Sequence, residues 1–408
     1  MTKLMNRRSF GTAAIAAASL APWRAGAASA PVKIGLLSDF SSVYADSSGK
    51  GSLEAIRMTV DEFGGQLLGQ PVEVVSADHM NKPDVGASIA RRWLDQEGVD
   101  VIVDVNNSAV AIAVRNLVEQ KQKLAMFVGA GSSSLTGKFC SANTVQTLYD
   151  TAALARSTVK ATNDLYGPKR WFFLTGDFAF GQSLEKDARS VIEPTGGKVV
   201  GRVAVPLGTN DFSSFLLQAQ SSGADLIGVA VAGADLVRAV KQGAEFGITP
   251  KQKFIASVVT EHDIYSIGPK AAGGMVFSSP FYWDLDDKTR AWSKRFQERT
   301  GKLPTMTQAG NASAVLQYLK AVQAAGSKEA RPVMAKMHAM PVEDFMTRSA
   351  MLRVDGRLER DMHVFQAKDA SESKGGWDIY KFIKTNAGKD VVRPLSESEC
   401  PLVKTATR

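Results

Sequence analysis

Hydrophobic residues follow two alternating patterns along most of the chain. Residues 32–37 form a short apolar run of the kind that makes a buried parallel strand. Leu53, Ile56 and Val60 then recur at the spacing that gives a helix one apolar face. The region after about residue 30 is therefore predicted to begin with a strand, a Ser- and Gly-rich loop and a helix.

This strand-and-helix unit recurs in two consecutive sets. Each predicted strand is followed by a helical pattern, such as the one through residues 83–97. The alternation predicts parallel sheets covered by helices, so the expected fold class is α/β with two Rossmann-like halves. The predicted strands lie at 32–37, 72–75, 101–105 and 124–128 in the first set, and at 171–174, 199–205, 226–231, 254–258 and 275–277 in the second.

The pattern changes after about residue 281. The Asp355-Gly356 pair stands between two strand-like runs, which predicts a hairpin that joins residues 352–354 to residues 363–366. The other predicted elements of this region are helices at 292–299, 314–324 and 333–340 and a last strand at 377–383.

The first 27 residues are predicted to be a cleavable signal peptide. Arg7 and Arg8 stand in a basic segment, residues 11–21 are apolar but too short to span a bilayer, and Ala25-Gly26-Ala27 supplies small residues for cleavage. The arginine pair, together with Arg24 near the cleavage site and the modest apolar region, favours twin-arginine export over Sec export. Because no later segment has 18 consecutive apolar residues, we expect a soluble mature chain that does not insert into a membrane.

Composition changes little in this picture. The 408 residues carry 49 Lys and Arg against 41 Asp and Glu. Removal of residues 1–27 takes away four basic residues and no acidic ones, so the net charge falls from +8 to 45 − 41 = +4. This mild charge, without a clustered basic helix, argues against nucleic acid as a partner. The length allows two domains.

Two cysteines, Cys140 and Cys400, occur in the chain. In an oxidising compartment two cysteines most often pair, and neither has metal-ligand spacing to another Cys or His. We therefore predict a Cys140–Cys400 disulfide that fastens the C-terminal tail to the body of the protein.

Motifs for catalysis or for a cofactor do not occur. The sequence has no G-x-S-x-G elbow and no phosphate-binding G-x-x-x-x-G-K-[ST] loop, and its four histidines are scattered. Asp284, Asp286 and Asp287 precede a predicted helix, where capping and the helix dipole explain them. We expect no enzymatic activity, no cofactor and no metal site.

Candidate ligand-binding residues follow three strands of the first set, because ligands of open α/β sheets bind beyond the carboxyl ends of the strands. The alternative for Ser42 and Tyr44 is that they only shape a turn and cap the next helix. For Asn106, Asn107 and Ser108 the alternative is capping of the next helix. The two roles are compatible, since the free N–H groups at a helix start can also hold a ligand carboxylate. These candidates are Ser42, Tyr44, Asn106, Asn107, Ser108, Gly131, Ser132 and Ser133.

An ordered set of segments resembles the type I periplasmic solute-binding proteins of the branched-chain amino acid (Leu/Ile/Val-binding) ABC transporter family. The resemblance extends over nearly the whole mature chain, and no single segment is as specific as a Walker loop. The segments are, in order, KIGLLSDFSSVYADSSGKGSLEAIRMTVDEFGG, VEVVSADHMNKPDVGASIARRWLDQEGVDVIV, GAGSSSLTG, WFFLTGDFAFGQSLEKDAR, DFSSFLLQAQSSGADLIGVA and FYWDLDD.

The resemblance implies two lobes that are joined by crossing strands and close over a small ligand. Lobe one would take residues 31–149 plus about 280–350. Lobe two would take residues 150–279 plus about 351–408, with the tail. Several crossings between the lobes would restrict their motion to a hinge.

Further site residues follow from the resemblance. The family binds the ligand carboxylate with the loop that contains Gly131, and Phe180 aligns with a position that is often tyrosine in amino-acid binders. An acidic residue near Glu261 meets the ligand ammonium in those proteins. Tyr149 and Asp150 lie at the first crossing, where they either reach the cleft or stiffen the hinge. Trp283 either forms an aromatic wall or packs in the hinge.

Two departures from the family pattern leave the ligand open. Phe180 lacks the hydroxyl group of a tyrosine, and the alignment near Glu261 gives no secure acidic partner for an ammonium group. Because an unpaired ammonium in a closed cleft is costly, an aromatic or hydrophobic carboxylate fits at least as well as an amino acid.

The sequence therefore predicts a periplasmic substrate-binding component of an ABC importer. The protein is expected to be a monomer. It would capture a small carboxylate-bearing solute by hinge closure and deliver that solute to an inner-membrane permease. The alternative is a periplasmic sensor that presents its closed form to a membrane receptor.

Overall fold

The computed structural model describes residues 1–2, 30–249 and 251–406. The predicted signal peptide lies outside the described residues except for Met1 and Thr2, so it stays a prediction. Residues 31–408 form one compact unit. Within the described ranges, no helix has both the length and the apolar character needed to cross a membrane.

The first sheet has six strands in the order β2-β3-β1-β4-β5-β6. All of its pairs are parallel except the β2–β3 hairpin. Every position of β4 and β5 is buried, as expected for a parallel sheet with helices on both faces. The strands are β1 (Val32–Ser38), β2 (Gln66–Leu67), β3 (Gln70–Asp78), β4 (Val101–Asp104), β5 (Leu124–Phe127) and β6 (Thr144–Gln146).

The second sheet has four parallel strands in the order β10-β9-β7-β8. A third, antiparallel sheet has the order β11-β12-β13. The strands of the second sheet are β7 (Arg170–Gly176), β8 (Lys198–Val205), β9 (Leu226–Ala230) and β10 (Lys253–Ala256), and those of the third are β11 (Val276–Ser279), β12 (Met362–Ala367) and β13 (Tyr380–Asn386).

Helices connect most of the successive strands of the two parallel sheets, except β2 with β3 and β5 with β6. The long helix after the second sheet region, α11, packs back on α1 and so belongs with the first sheet. The helices are α1 (Gly49–Glu62), α2 (Pro83–Arg92), α3 (Ser108–Gln120), α4 (Thr151–Tyr166), α5 (Ala179–Ile192), α6 (Ser213–Ser221), α7 (Ala234–Glu245), α8 (Glu261–Ile267), α9 (Pro269–Ala272), α10 (Asp287–Thr300), α11 (Met306–Ala325), α12 (Ala330–Ala339), α13 (Gly388–Val391) and α14 (Pro401–Ala406).

The architecture confirms the predicted fold class, an α/β protein with two Rossmann-like lobes around parallel sheets. The chain passes between the lobes after β6, after β11 and before β12. The predicted lobe boundaries stay a proposal. Residues 352–358, placed with lobe two, lie beside lobe one, because Gln146 at the end of β6 pairs with Arg357.

The turn at Asp355-Gly356 is present, but the predicted pairing of its second strand was wrong. Leu352 bridges to Leu358 instead of to residues 363–366, and β12 pairs with β11 and β13. Gly356 has a φ of +81°, which suits glycine in a tight turn. The hairpin is short because its return strand continues as the crossing between the lobes.

The predicted disulfide between Cys140 and Cys400 is formed. Cys140 follows the loop after β5, in lobe one, and Cys400 precedes α14, at the end of the tail. The disulfide therefore fastens the end of the tail beside the loop after β5, and the assignment of the tail to lobe two stays a prediction.

Candidate functional site

A cleft lies at the carboxyl ends of the parallel strands, between the two lobes. Residues from both lobes and from the first crossing line it. They are Tyr44, Ser47, Asn106, Asn107, Ser108, Gly129, Tyr149, Phe178, Phe180, Ala232, Gly233, Val258, Thr260, Asp263 and Thr307.

Asp39 shapes the loop that brings Tyr44 to the cleft. Its carboxylate accepts hydrogen bonds from the backbone N–H of Tyr44 (2.9 Å) and Ser42 (2.8 Å) and from the Ser42 hydroxyl (2.8 Å). These bonds lower the pKa of Asp39 although its burial acts in the opposite direction. Ser42 thus shapes the loop and lies outside the cleft lining.

The loop after β4 supplies three polar residues to the lobe-one wall. The Asn107 side chain caps α3 by accepting hydrogen bonds from the N–H groups of Ala109 and Val110. Capping was the predicted alternative to ligand contact for this residue. The Ser108 hydroxyl accepts from the N–H of Ser132 (3.0 Å). Asn106 Oδ1 accepts from the N–H of Asp39 (2.9 Å), while its Nδ2 is buried without a partner among the described residues.

Aromatic and apolar residues form the opposite wall. The rings of Phe178 and Phe180 stack with centroids 6.2 Å apart, and Val258 and Ala232 extend this apolar surface. The Tyr149 hydroxyl donates to the carbonyl oxygen of Gly129 (3.1 Å), which fixes its ring at the crossing. The cleft therefore offers polar contacts on one side and an apolar surface on the other.

Asp263 is the one carboxylate among the described residues that line the cleft. Thr260 and Asp263 form a capping box at the start of α8, in which Asp263 Oδ2 accepts from the Thr260 N–H (2.8 Å) and hydroxyl (2.8 Å). Burial raises the pKa of Asp263 to about 6 against these two bonds. In the part of the chain that is described, the other oxygen, Oδ1, has no hydrogen-bond partner.

Glu261, the predicted acidic residue, lies two positions earlier on α8 and does not line the cleft. It is 1% exposed, and its Oε1 has no partner within residues 30–249 and 251–406. Burial, with the charge of Asp263 as a smaller cause, raises the pKa of Glu261 to about 8. The structure thus offers Asp263, rather than Glu261, as the acid in the cleft.

We expect Glu261 to make stability depend on pH. Its favourable contribution is fully present below pH 4.5, the ordinary pKa of Glu, and is lost as the pH rises through about 8. Glu261→Gln keeps a neutral side chain at every pH. Between pH 5 and 9 the free energy of unfolding should therefore fall less for this variant than for the wild type, and the two decreases should differ by a few kcal/mol. Urea unfolding at both pH values measures this difference. Exposed Glu245→Gln is the control, and parallel pH profiles for Glu261→Gln and wild type would refute the expectation.

Direct contacts across the cleft show that the lobes are closed. The Ala234 N–H donates to the Val43 carbonyl (3.1 Å), and His262 Nε2 lies 3.1 Å from the carbonyl oxygen of Leu303. Gly233 sits at this junction with a φ of +61°, and a Cβ there would lie 2.3 Å from the Val43 oxygen. Closure therefore depends on the absence of a side chain at Gly233.

Gly233→Ala should open the molecule. The added methyl group clashes with backbone across the cleft, so the average radius of gyration from small-angle X-ray scattering should exceed that of the wild type. Gly247→Ala is the matched control, because Gly247 also has a positive φ (+67°) but, among the described residues, no atom within 4 Å of an added Cβ. Equal radii for the two variants would contradict this role of Gly233.

Of the predicted ligand-binding residues, the structure brings six to the cleft: Tyr44, Asn106, Asn107, Ser108, Tyr149 and Phe180. The others have different surroundings. Gly131 packs against the rings of Tyr149 and Phe180, and a Cβ there would lie 2.6 Å from the Tyr149 ring. Trp283 packs against the hydrophobic core, and its Nε1 is unpartnered among the described residues.

Ser132, Ser133 and Asp150 make contacts between the lobes instead of lining the cleft. The Ser132 hydroxyl lies 2.7 Å from that of Ser183, and the Ser133 hydroxyl donates to Asp187 (2.7 Å). Asp150 caps α4 and forms a buried ion pair with Arg357. Ligand contact by these residues stays a prediction, and the structure supplies a packing role for each.

Sequence reasoning left out several cleft residues. The T-x-x-D pattern at Thr260 and Asp263 is a capping-box signal that could have drawn attention to them. Phe178, Ala232 and Gly233 also line the cleft, and none of them was among the predicted ligand-binding residues. Nothing local marks Thr307, because it reaches the cleft from α11, which follows the second lobe in the chain.

Two α/β lobes closed over a cleft at their strand ends define a hinged solute-binding protein. The chain belongs to the periplasmic binding protein family, whose model matches residues 31–375.

Solved structures of similar proteins agree with this assignment. A periplasmic binding protein from Burkholderia mallei has 44% sequence identity and a TM-score of 0.89, over 91% of this chain and 99% of that one. A branched chain amino acid ABC transporter periplasmic ligand-binding protein from Burkholderia xenovorans has 43% identity and a TM-score of 0.81, over 91% and 100%.

More distant proteins share the fold. Two Rhodopseudomonas palustris solute-binding proteins, in complex with benzoate and with 4-hydroxybenzoate, have 19% and 23% identity and TM-scores of 0.81 and 0.80. They cover 91% and 88% of this chain, which covers 100% and 97% of them.

Leu/Ile/Val-binding protein homolog 6 of Brucella abortus is 27% identical over 194 residues, 47% of this chain. The chain spans about half the length, 49%, of the first curated relatives that it matches.

Proposed function

We propose that this protein is the solute-binding component of an ABC importer and captures a small organic carboxylate with an apolar body. It is exported to the periplasm, closes over its ligand as a monomer and delivers it to an inner-membrane permease. The observation that carries this proposal is the pairing of a buried, unpartnered Asn106 amide with an apolar wall across a closed cleft, as judged within the described residues.

The carboxylate end of the ligand fits the lobe-one wall. Asn106 Nδ2 is a donor without a partner among the described residues, and the Ser108 hydroxyl accepts one bond while its proton stays available. Hydrogen bonds to a charged carboxylate contribute roughly 1.5–3 kcal/mol each. The apolar body of the ligand then lies against Phe178 and Phe180.

Asp263 favours an α-amino acid over a simple carboxylate. Its Oδ1, which has no partner in the described part of the chain, supplies the acidic group that an ammonium requires. The relative from Burkholderia xenovorans, named for branched-chain amino acids, supports this choice. The aromatic wall and the fold neighbours with benzoate support the second class, an aromatic carboxylate.

Binding drives transport by a shift between two states. A ligand that contacts Asn106 in lobe one and Phe180 in lobe two binds the closed form better than the open one, so it stabilises closure. No bond in the ligand changes in this cycle. The closed form is then the one that the permease recognises.

Thermal shifts of residues 28–408, refolded to remove carried-over ligand, test the ligand class. A ligand that binds only the folded state raises the melting temperature. The matched probes are L-leucine against 4-methylpentanoate, which lacks only the ammonium group, and L-phenylalanine against 3-phenylpropanoate, with benzoate added. We expect shifts with the amino acids. Shifts with the carboxylates alone would transfer the assignment to the second class, and no shift with any probe would refute the proposed ligand class.

Asp263→Asn tests the ammonium contact directly. We expect the Kd for L-leucine to rise roughly 10- to 100-fold, because a charged hydrogen bond is lost, while any weak binding of 4-methylpentanoate stays unchanged. Isothermal titration calorimetry measures both. Equal losses for the two probes would show that Asp263 acts through the fold of α8 instead. A separate experiment tests the link to a permease. It measures the uptake of labelled L-leucine by cells from which the gene for this protein is deleted.

A further inference from the structure

His79 is a buried residue that the proposed function does not yet use. It follows β3 directly, its side chain is 0% exposed, and it lies next to Asn106 although 27 positions separate them in the chain. Its Nε2 is 2.9 Å from Asn106 Oδ1, and its Nδ1 accepts from the backbone N–H of Asn81 (3.0 Å).

These two contacts determine the tautomer of His79. A backbone N–H can only donate, so Nδ1 must carry a lone pair. A neutral imidazole then has its proton on Nε2. The Nε2–H group therefore donates to Asn106 Oδ1.

The same contacts determine the orientation of the Asn106 amide. Oδ1 accepts from His79 Nε2 and from the Asp39 N–H (2.9 Å), so two donors converge on it. A flipped amide would place an NH2 group against both donors, which costs two hydrogen bonds. The NH2 group of Asn106 must consequently point away from His79. Asn106 itself lines the cleft, so this NH2 group is a donor at the cleft wall.

The hydrogen bonds that run from the Asn81 N–H through the His79 ring to Asn106 Oδ1 form a relay, and the backbone around His79 supports it. Met80 and Asn81 both have positive φ values, +53° and +55°, which are uncommon outside glycine. This turn directs the Asn81 N–H back onto the imidazole. Residues in such sparsely populated conformations persist where the surrounding structure holds them, and they cluster at functional sites.

We propose that His79 is a positioning residue for ligand recognition, acting through Asn106. Its Nε2–H holds the Asn106 amide so that the cleft presents a donor, and the site accordingly selects an acceptor such as a carboxylate oxygen at that position. This inference rests on the proposed function for the identity of the acceptor. The relay itself is a property of the protein without ligand.

The tautomer is measured first, on the full mature protein without ligand. Selective ¹⁵N labelling of histidine and long-range ¹H–¹⁵N correlation spectra distinguish the two tautomers, and loss of one signal set in His79→Gln assigns His79. We expect a neutral ring protonated at Nε2. A ring protonated at Nδ1, or a charged ring at pH 7, would overturn the relay whatever the ligand proves to be.

Binding of L-leucine and benzoate to paired variants tests the consequence. His79→Gln can place an amide donor near the Nε2 position, whereas the shorter His79→Asn retains an acceptor near Nδ1 but no donor that reaches Asn106. We expect His79→Asn and Asn106→Ala each to raise the Kd roughly tenfold or more and His79→Gln to raise it less than about threefold. His338→Asn, remote from the cleft, is the control and should leave the Kd unchanged.

A double-mutant cycle separates positioning from a general structural role. If His79 acts through Asn106, His79→Asn should change the Kd less than about twofold in the Asn106→Ala background. Additive losses would overturn the proposal. If neither probe binds the wild type, the proposed ligand class fails, and the tautomer still decides whether the relay exists.

Discussion

Arg357→Met is expected to lower the free energy of unfolding by about 3–5 kcal/mol, because it leaves a buried charge without its partner. Arg357 is fully buried, and its Nε donates to Asp150 Oδ2 at 2.8 Å. Asp150 is also buried and caps α4 through its other oxygen. The pair joins the first crossing between the lobes to the hairpin that lies beside β6.

Urea unfolding followed by circular dichroism measures the effect. Asp150→Asn combined with Arg357→Met removes both charges and should recover part of the loss. Arg295→Met is the matched control, because its pair with Glu62 (2.8 Å) is exposed and should contribute no more than about 1 kcal/mol. A loss below about 1 kcal/mol for Arg357→Met would show that Asp150 is not held by this pair and would strengthen its predicted role in ligand binding.

Cys140→Ser combined with Cys400→Ser is expected to lower the free energy of unfolding by a similar amount, about 3–5 kcal/mol. The two cysteines are 260 positions apart, so the disulfide constrains a very long loop in the unfolded chain. It also holds the tail where Arg393 contacts Ser133 in lobe one and Asp187 in lobe two. Loss of the bond should therefore release contacts that span both lobes.

Reduction of the wild type provides the matched comparison. Urea unfolding with dithiothreitol should move the wild-type midpoint to that of the double variant and leave the variant unchanged. A double variant with wild-type stability would mean that the tail contacts alone hold the C-terminus. Unequal midpoints for reduced wild type and variant would point to an effect of the serines themselves.

Local pattern was enough to predict the longer strands of the two parallel sheets and their order along the chain, but not the short strands β2 and β6. Strands such as 101–105 are short, continuously apolar and followed by helical periodicity, so their identity depends on neighbours in the sequence. The lobe-one wall was also predictable, since Asn106, Asn107 and Ser108 directly follow a strand whose carboxyl end faces the cleft. In these cases a property of a few adjacent residues decides where they lie.

Positions that depend on orientation were not predictable in this way. Glu261 and Asp263 are two residues apart, and a helix turns about 100° per residue, so their side chains leave α8 on nearly opposite sides. Only the rotation of α8 against its neighbours places Asp263 at the cleft and Glu261 in the interior. Ser132 and Ser133 likewise follow a strand end, but their loop turns their hydroxyls toward the other lobe.

The sequence by itself determined the fold class, the family resemblance, the disulfide pair and most of one wall of the cleft, because each depends on periodicity, on adjacent residues or on the count of cysteines. The tertiary structure decided which acid lines the cleft, which strand follows the Asp355-Gly356 turn, and that His79 holds Asn106. These depend on contacts between segments far apart in the chain, whose relative placement is set by packing of whole elements and by no local pattern.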